Sequence, residues 1–149
     1  MIIIICYTNN DIHYQKGNQL VKRTRQKDLI LTALKGNPYH PPAIWIYDQV
    51  RKGMPRISLA TVYRNLRTFC ERGDILELRL EGNVSRFDPR TDEHSHFWCN
   101  KCERVFDIDE PTDKGFNGRV AHEKGFEVSY SRIILRGLCR ECKTNLIKI

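Results

Sequence analysis

The chain has 149 residues, 40% of them hydrophobic, and a net charge of +7. That length suits one ordinary domain or two small ones, and no apolar run is long enough to form a membrane-spanning helix. The charge is uneven: residues 1–88 hold 14 Lys/Arg against 8 Asp/Glu, and residues 89–149 hold 11 against 10, so the first half is the part suited to a polyanion.

Residues 1–20 show no clear periodicity and read as a short N-terminal arm or strand, or as a poorly ordered segment. The apolar run Ile2–Ile5 has no basic lead-in and is too short for a signal-peptide core, so a cytoplasmic protein is expected. From Arg25 to Lys35 the apolar residues Leu29, Ile30, Ala33 and Leu34 share one helical face. Thr24 is placed to cap that helix and Gly36 to end it. His40-Pro41-Pro42 forms a turn. A second helix is expected over residues 42–52, with Ala43, Ile46, Tyr47 and Val50 on one face and Gly53 as its stop. Ser58 suits the N-cap of a third helix over residues 59–72, whose inward stripe is Leu59, Val62, Leu66 and Phe69. Residues 75–80 and 84–88 flank Glu81-Gly82-Asn83, a hairpin signal. Three helices and a two-stranded hairpin form the pattern of a winged helix-turn-helix.

Residues 89–93 are polar and turn-prone and are read as a hinge. Beyond it, His94–Trp98 and Arg104–Ile108 are strand-like, residues 111–124 form a glycine-weakened helix, and Phe126–Leu138 is a long strand candidate. The expected fold class is α+β: a winged helix-turn-helix over residues 21–88, then a small α/β domain over residues 94–149.

The second half carries Cys99-x-x-Cys102 and Cys139-x-x-Cys142. Each pair can point two thiolates into one tetrahedron, so together they fill the four positions of a closed, structural zinc site. With 36 residues between Cys102 and Cys139, such a site must tie the start of this domain to its end, and its binding energy would be folding energy. Free thiol pairs or a redox dithiol are the alternative. Cys6 and Cys70 read as bystanders, Cys70 at an apolar helical position where an inert thiol is expected.

His94 and His96 are spaced by two in a strand, so their side chains leave the same face and can share an ion. Exposed histidines in a polar turn are the alternative. Asp88 and Asp107 are carboxylates that could approach that face. A site of imidazole nitrogens and carboxylate oxygens suits Fe(II), Mn(II) or Zn(II), and it is more exchangeable than four thiolates. His40 by itself is a turn residue. On the third helix, Thr61, Tyr63, Arg64 and Arg67 are candidate groove contacts, with Ser58 and Ala60 beside them. Arg23 and Arg25, together with Lys22, Lys52 and Arg56, would add phosphate contacts. A merely solvated helix face is the bland reading.

Together these residues resemble the ferric uptake regulator family over about residues 22–143. The family's Ala-Thr-Val-Tyr-Arg recognition signature stands unchanged as Ala60-Thr61-Val62-Tyr63-Arg64, and its Arg-x-Thr-x-Gln-Arg opening is close to Arg23–Lys27. Its Ile-Tyr is Ile46-Tyr47, and its Arg-Phe/Tyr-Asp is Arg86-Phe87-Asp88. Its His-x-His-x-x-Cys-x-x-Cys spans His94 to Cys102, and its last cysteine pair is Cys139 and Cys142. The resemblance implies a homodimeric, metal-dependent repressor that binds double-stranded operator DNA and is not an enzyme. It implies structural zinc on Cys99, Cys102, Cys139 and Cys142, and a regulatory Fe(II) or Mn(II) on His40, Asp88, His94, His96 and Asp107. His122 has no matching ligand role. Aspartate at position 107 is similar to the peroxide-sensing branch, in which His40 and His94 would be open to oxidation; iron-sensing members tend to carry glutamate there. Other expectations remain open: an iron-, zinc- or other metal-responsive regulator, a small metallo-enzyme, or a plain zinc-ribbon interaction module.

Overall fold

The computed structural model describes residues 24–80, 84–109, 114–128 and 131–144. The N-terminal arm, Lys22 and Arg23, Cys6 and the hairpin turn at residues 81–83 lie outside them. The chain divides into two compact units, residues 1–91 and 92–149.

In the first unit, α1 (Arg25–Lys35), α2 (Ala43–Gly53) and α3 (Leu59–Glu71) are followed by β1 (Leu76–Arg79) and β2 (Ser85–Asp88). Each helix buries the stripe expected from its spacing: Ile30 and Leu34 on α1, Ala43, Ile46 and Val50 on α2, Val62, Leu66 and Phe69 on α3. They close on Ile57, Ile75 and Phe87 as one core. Leu29 and Ala33 of α1, Tyr47 of α2 and Leu59 of α3, expected on the same stripes, are only half-buried.

The helix ends are set by local chemistry. Thr24 Oγ1 accepts from the Lys27 N–H at 3.4 Å, and Ser58 Oγ accepts from the Thr61 N–H at 3.1 Å, satisfying donors that the first turn leaves open. Beyond α3, Gly73 takes φ +67°, a left-handed backbone that costs glycine no Cβ clash. The Gly73 N–H then bonds the Cys70 carbonyl and the Asp74 N–H bonds the Phe69 carbonyl, both at 2.9 Å. This paired closure ends the helix and turns the chain into β1. β1 and β2 pair antiparallel, with Leu76 opposite Asp88 and Leu78 opposite Arg86.

The second unit contains β3 (Ser95–Cys99), β4 (Val105–Ile108), α4 (Lys114–Lys124), β5 (Ile134–Gly137) and α5 (Arg140–Thr144). Its sheet has the order β4-β3-β5, β3 being antiparallel to β4 and parallel to β5. Alternation along β3 sends Phe97 and Cys99 to one face and His96 and Trp98 to the other.

Of the long strand expected over residues 126–138, the described residues form a strand only over Ile134–Gly137. A strand extends only where a partner backbone exists, and β3 offers five residues. Upstream, the Phe126 N–H bonds back to the Ala121 carbonyl at 3.1 Å and Gly125 takes φ +66°, so this stretch finishes α4 instead of starting β5. Among the described residues no helix is long and apolar enough to cross a membrane.

Leu66 is fully buried in the three-helix core. Leu66→Ala is expected to destabilise the first unit by about 2–5 kcal/mol, read as a lower midpoint in urea denaturation; a shift below about 0.5 kcal/mol would refute the packing assigned to α3.

Candidate metal centres and nucleic-acid surface

The two cysteine knuckles meet in the second unit. Cys99 ends β3, Cys102 lies in the turn before β4, Cys139 precedes α5 and Cys142 lies within it. All four Sγ atoms lie within 4.8 Å of one another, and Cys102 Sγ is 3.8 Å from Cys139 Sγ. Four sulfurs at about 2.3 Å from a tetrahedral ion have edges of about 3.8 Å, so donor type, number and spacing all fit zinc. Phe97 and Phe106 pack against the cluster and shield it.

Backbone and side-chain donors prepare these thiols. Burial raises the Cys99 thiol, but the N–H groups of Cys102, Cys139 and Lys101 outweigh it and bring it down to about 6. The Cys139 N–H reaches Cys99 Sγ at 3.3 Å. For Cys102 burial also raises the thiol, and the backbone and guanidinium donors of Arg104 bring it below its ordinary value. Cys142 is pushed up to about 12, first by burial and then by hydrogen bonds with Cys139, Cys102 and Cys99. Cys99 is thus poised as thiolate, Cys102 is shifted in the same direction, and Cys142 must lose its proton when a metal binds.

Arg104 was not singled out by the sequence reading. Its Nε donates to Cys102 Sγ at 3.3 Å, and its Nη2 donates to Glu141 Oε2. The signal available was a basic residue two positions past one knuckle and an acidic residue inside the other.

The predicted nitrogen and oxygen ligands fall into two sets. In the second unit, His94 Nε2 lies 3.2 Å from Asp107 Oδ1, and His96 Nε2 lies 3.7 Å from the same oxygen. The pairing of β3 with β4 sets this, because it puts His96 directly opposite Asp107. His94 Nδ1 lies 2.8 Å from the Asp92 carbonyl. A carbonyl only accepts, so Nδ1 carries a proton, and in the neutral ring Nε2 then turns its lone pair toward the carboxylate. Two acceptors facing each other fit a cation between them, and ligand atoms about 2.0–2.2 Å from one ion sit about 3.0–3.6 Å apart.

In the first unit, His40 Nε2 lies 3.8 Å from Asp88 Oδ2, and both side chains are buried. Asp88 Oδ1 accepts the Arg90 N–H at 2.7 Å, and Oδ2 is the oxygen that approaches the histidine. The Phe87 N–H donates to the Pro41 carbonyl at 3.2 Å and Pro42 bridges Arg86, so the loop carrying His40 is pinned to the strand carrying Asp88. His40 has φ +48°, a left-handed backbone that is uncommon outside glycine and clusters at functional sites. His122 lies exposed on α4.

On α3, Ala60, Tyr63, Arg64 and Arg67 are exposed and Thr61 is half-buried. Arg64 Nη2 donates to Thr61 Oγ1 at 3.3 Å, and Thr61 Oγ1 lies 2.9 Å from Ser58 Oγ. These three polar groups form one ordered row at the helix start. Arg67 lies 2.8 Å from Glu71, a solvent-facing ion pair. Arg25 spans from α1 to the Gly53 carbonyl at 3.2 Å.

A family model described as the ferric uptake regulator family matches residues 18–136. The chain belongs to the ferric uptake regulator family. Within the family it is similar to the peroxide operon regulator of Bacillus subtilis, at 38% identity over 82% of this chain and 84% of that one. It is also similar to the peroxide-responsive repressor PerR of Staphylococcus epidermidis, at 36% identity over 83% and 82%. Among solved structures it matches the Campylobacter jejuni peroxide stress regulator, with 29% identity, a TM-score of 0.65 and coverage of 78% of this chain and 88% of that one. The Vibrio cholerae ferric uptake regulator matches with 26% identity, a TM-score of 0.67 and coverage of 80% and 92%.

Cys70 stands apart from both metal centres of this family member. Burial first, then the charges of Glu77 and Glu71, push its thiol up to about 12. Because the folded value lies above the ordinary 9.0, its contribution to stability is intact below about pH 9 and is lost as pH rises toward about 12. At pH 8, iodoacetamide is expected to label Cys70 far more slowly in the native protein than in urea, since the thiolate fraction is about a thousandfold smaller. Rapid native-state labelling of Cys70, read by mass spectrometry, would refute its assignment as inert.

Proposed function

We propose that the chain is a homodimeric, metal-dependent DNA-binding repressor that senses peroxide through Fe(II), with Mn(II) as a redox-silent alternative occupant. The observation that carries this reading is the buried imidazole–carboxylate face of β3 and β4, His94, His96 and Asp107. It is separate in chemistry from the four-sulfur cluster of the same unit. Asp107, rather than glutamate, and the likeness to two relatives named for peroxide response support the peroxide branch.

In this reading Cys99, Cys102, Cys139 and Cys142 hold structural zinc. His40 and Asp88 of the DNA-reading unit and His94, His96 and Asp107 of the second unit hold the regulatory ion. Fe(II) bound there supplies the one-electron chemistry that splits peroxide, and His40 and His94 are the side chains at risk of oxidation. The DNA-facing helix is α3, with Ser58, Ala60, Thr61, Tyr63, Arg64 and Arg67 as its contacts, while Arg25 and Arg23 contact phosphates. In a dimer two such helices must match half-sites about one DNA turn, ~34 Å, or a multiple apart. Large apolar side chains exposed in the second unit (Phe116, Phe126, Ile133, Leu135 and Leu138) support a dimer surface there. The protein acts in the cytoplasm, and its role is regulatory rather than enzymatic.

The test is a DNA-binding titration on genomic fragments selected by the Mn(II)-loaded protein. Binding is expected with Fe(II) and with Mn(II), and peroxide is expected to abolish it only in the Fe(II) form. Peroxide-insensitive binding in both forms would overturn the peroxide assignment in favour of plain metal sensing. His40→Ala is expected to remove the metal-dependent gain in affinity, about 5–150-fold for a coupling of ~1–3 kcal/mol. Cys142→Ser is expected to abolish zinc retention and unfold the second unit, read by metal analysis and near-ultraviolet circular dichroism. Retained zinc with native ellipticity would overturn the four-thiolate assignment.

A further inference from the structure

Arg104 links the two cysteine knuckles from outside the sulfur cluster. Its backbone is fixed where β4 begins, because the Cys99 N–H donates to the Arg104 carbonyl at 3.0 Å. From that point its guanidinium divides its donors. Nε reaches Cys102 Sγ of the first knuckle at 3.3 Å, and Nη2 reaches Glu141 of the second knuckle, 37 residues further along the chain. Glu141 lies between Cys139 and Cys142 on α5. One planar cation therefore bridges a sulfur of one knuckle and a carboxylate of the other.

We propose that Arg104 is a positioning residue that holds the zinc site closed and protects Cys102 from oxidation, with Glu141 fixing the guanidinium in place. The inference rests on the zinc assignment made above. A zinc ion with four thiolates has a net charge of about −2, and a fixed cation in contact with one sulfur offsets part of it. Arginine's rigid fork can serve sulfur and carboxylate at once, whereas lysine offers a point charge on a flexible stem. An N–H donated to sulfur also occupies electron density that an electrophile would otherwise take.

The reaction held back is the attack of a thiolate on hydrogen peroxide. The Cys102 sulfur forms an S–O bond as the O–O bond breaks; sulfur loses two electrons, peroxide is reduced, and hydroxide departs to take up a proton. The resulting sulfenic acid can then be attacked by the sulfur of a neighbouring cysteine, giving a disulfide, a second hydroxide and free zinc. For a peroxide sensor, this side reaction would destroy the fold of the second unit during the stimulus it must report.

The experiment uses the full chain, zinc-loaded and free of iron, as wild type and as Arg104→Ala, Arg104→Lys and Glu141→Gln. Zinc transfer to a chromogenic chelator is followed in reducing buffer and then under a hydrogen peroxide titration, with the modified cysteine mapped by mass spectrometry. Arg104→Ala is expected to weaken zinc retention by about 10–100-fold, the usual effect of removing a partner that orients a metal ligand. It is also expected to make Cys102 the first sulfur oxidised. Arg104→Lys should fall between alanine and wild type. Glu141→Gln, which leaves every group on Cys102 in place, should show a smaller change in the same direction and decides the matter if Arg104→Ala does not fold. Zinc release and Cys102 oxidation at wild-type rates in Arg104→Ala or Glu141→Gln would overturn the proposal. Wild-type protein that binds no zinc would instead overturn the metal assignment on which it stands.

Discussion

The alternation of one five-residue strand is the constraint on which the second unit depends. β3 lies between β4 and β5, so its backbone is paired on both sides and its side chains must leave by one face or the other. Cys99 goes to the face shared with Phe97 and Phe106, where the remaining thiols gather. His96 goes to the opposite face, directly across from Asp107. Two donor sets of different chemistry thus arise within a few residues without mixing their ligands. Sulfur donors, shielded by phenylalanine rings, suit a closed tetrahedral ion; imidazole and carboxylate donors suit one that exchanges.

In the first unit the corresponding organising feature is the link between the proline turn and the wing. The Phe87 N–H and the Pro41 carbonyl hold His40 beside Asp88, and the left-handed backbone of His40 shows that the turn is held against its ordinary preference. The same core that buries Phe87 also buries Val62, Leu66 and Phe69 of α3. Asp88 and the loop carrying His40 therefore belong to the same packed unit as α3.

Much of this was legible in the residues. The apolar spacing of α1, α2 and α3 marks helices because burial dominates their stability, and Ser58 and Gly73 sit where capping chemistry requires them. The cysteine knuckles were legible because four soft donors at fixed spacing have few other uses. The expected strand over residues 126–138 failed for a non-local reason: β-branched and aromatic residues favour a strand, but pairing needs a partner, and β3 is short. His40 was illegible by itself because its neighbour Asp88 is 48 positions away, and only the family resemblance brought the two together. Arg104 was missed because a charged residue in a turn ordinarily faces water; its attachment to both knuckles depends on their meeting in space.

Because side chains alternate along β3, its register is a two-position code. A slip of one residue against β4 would move His96 to the sulfur side and Cys99 to the imidazole side, exchanging the donor sets of the two centres. Phe97 and Trp98 offer little to prevent such a slip, since both are large and apolar. Cys99 does prevent it, because its sulfur can join the cluster in only one frame. The thiolate cluster therefore does more than brace a small domain: it acts as a reading-frame lock for the strand, and only in the locked frame do the histidines face the carboxylate at all.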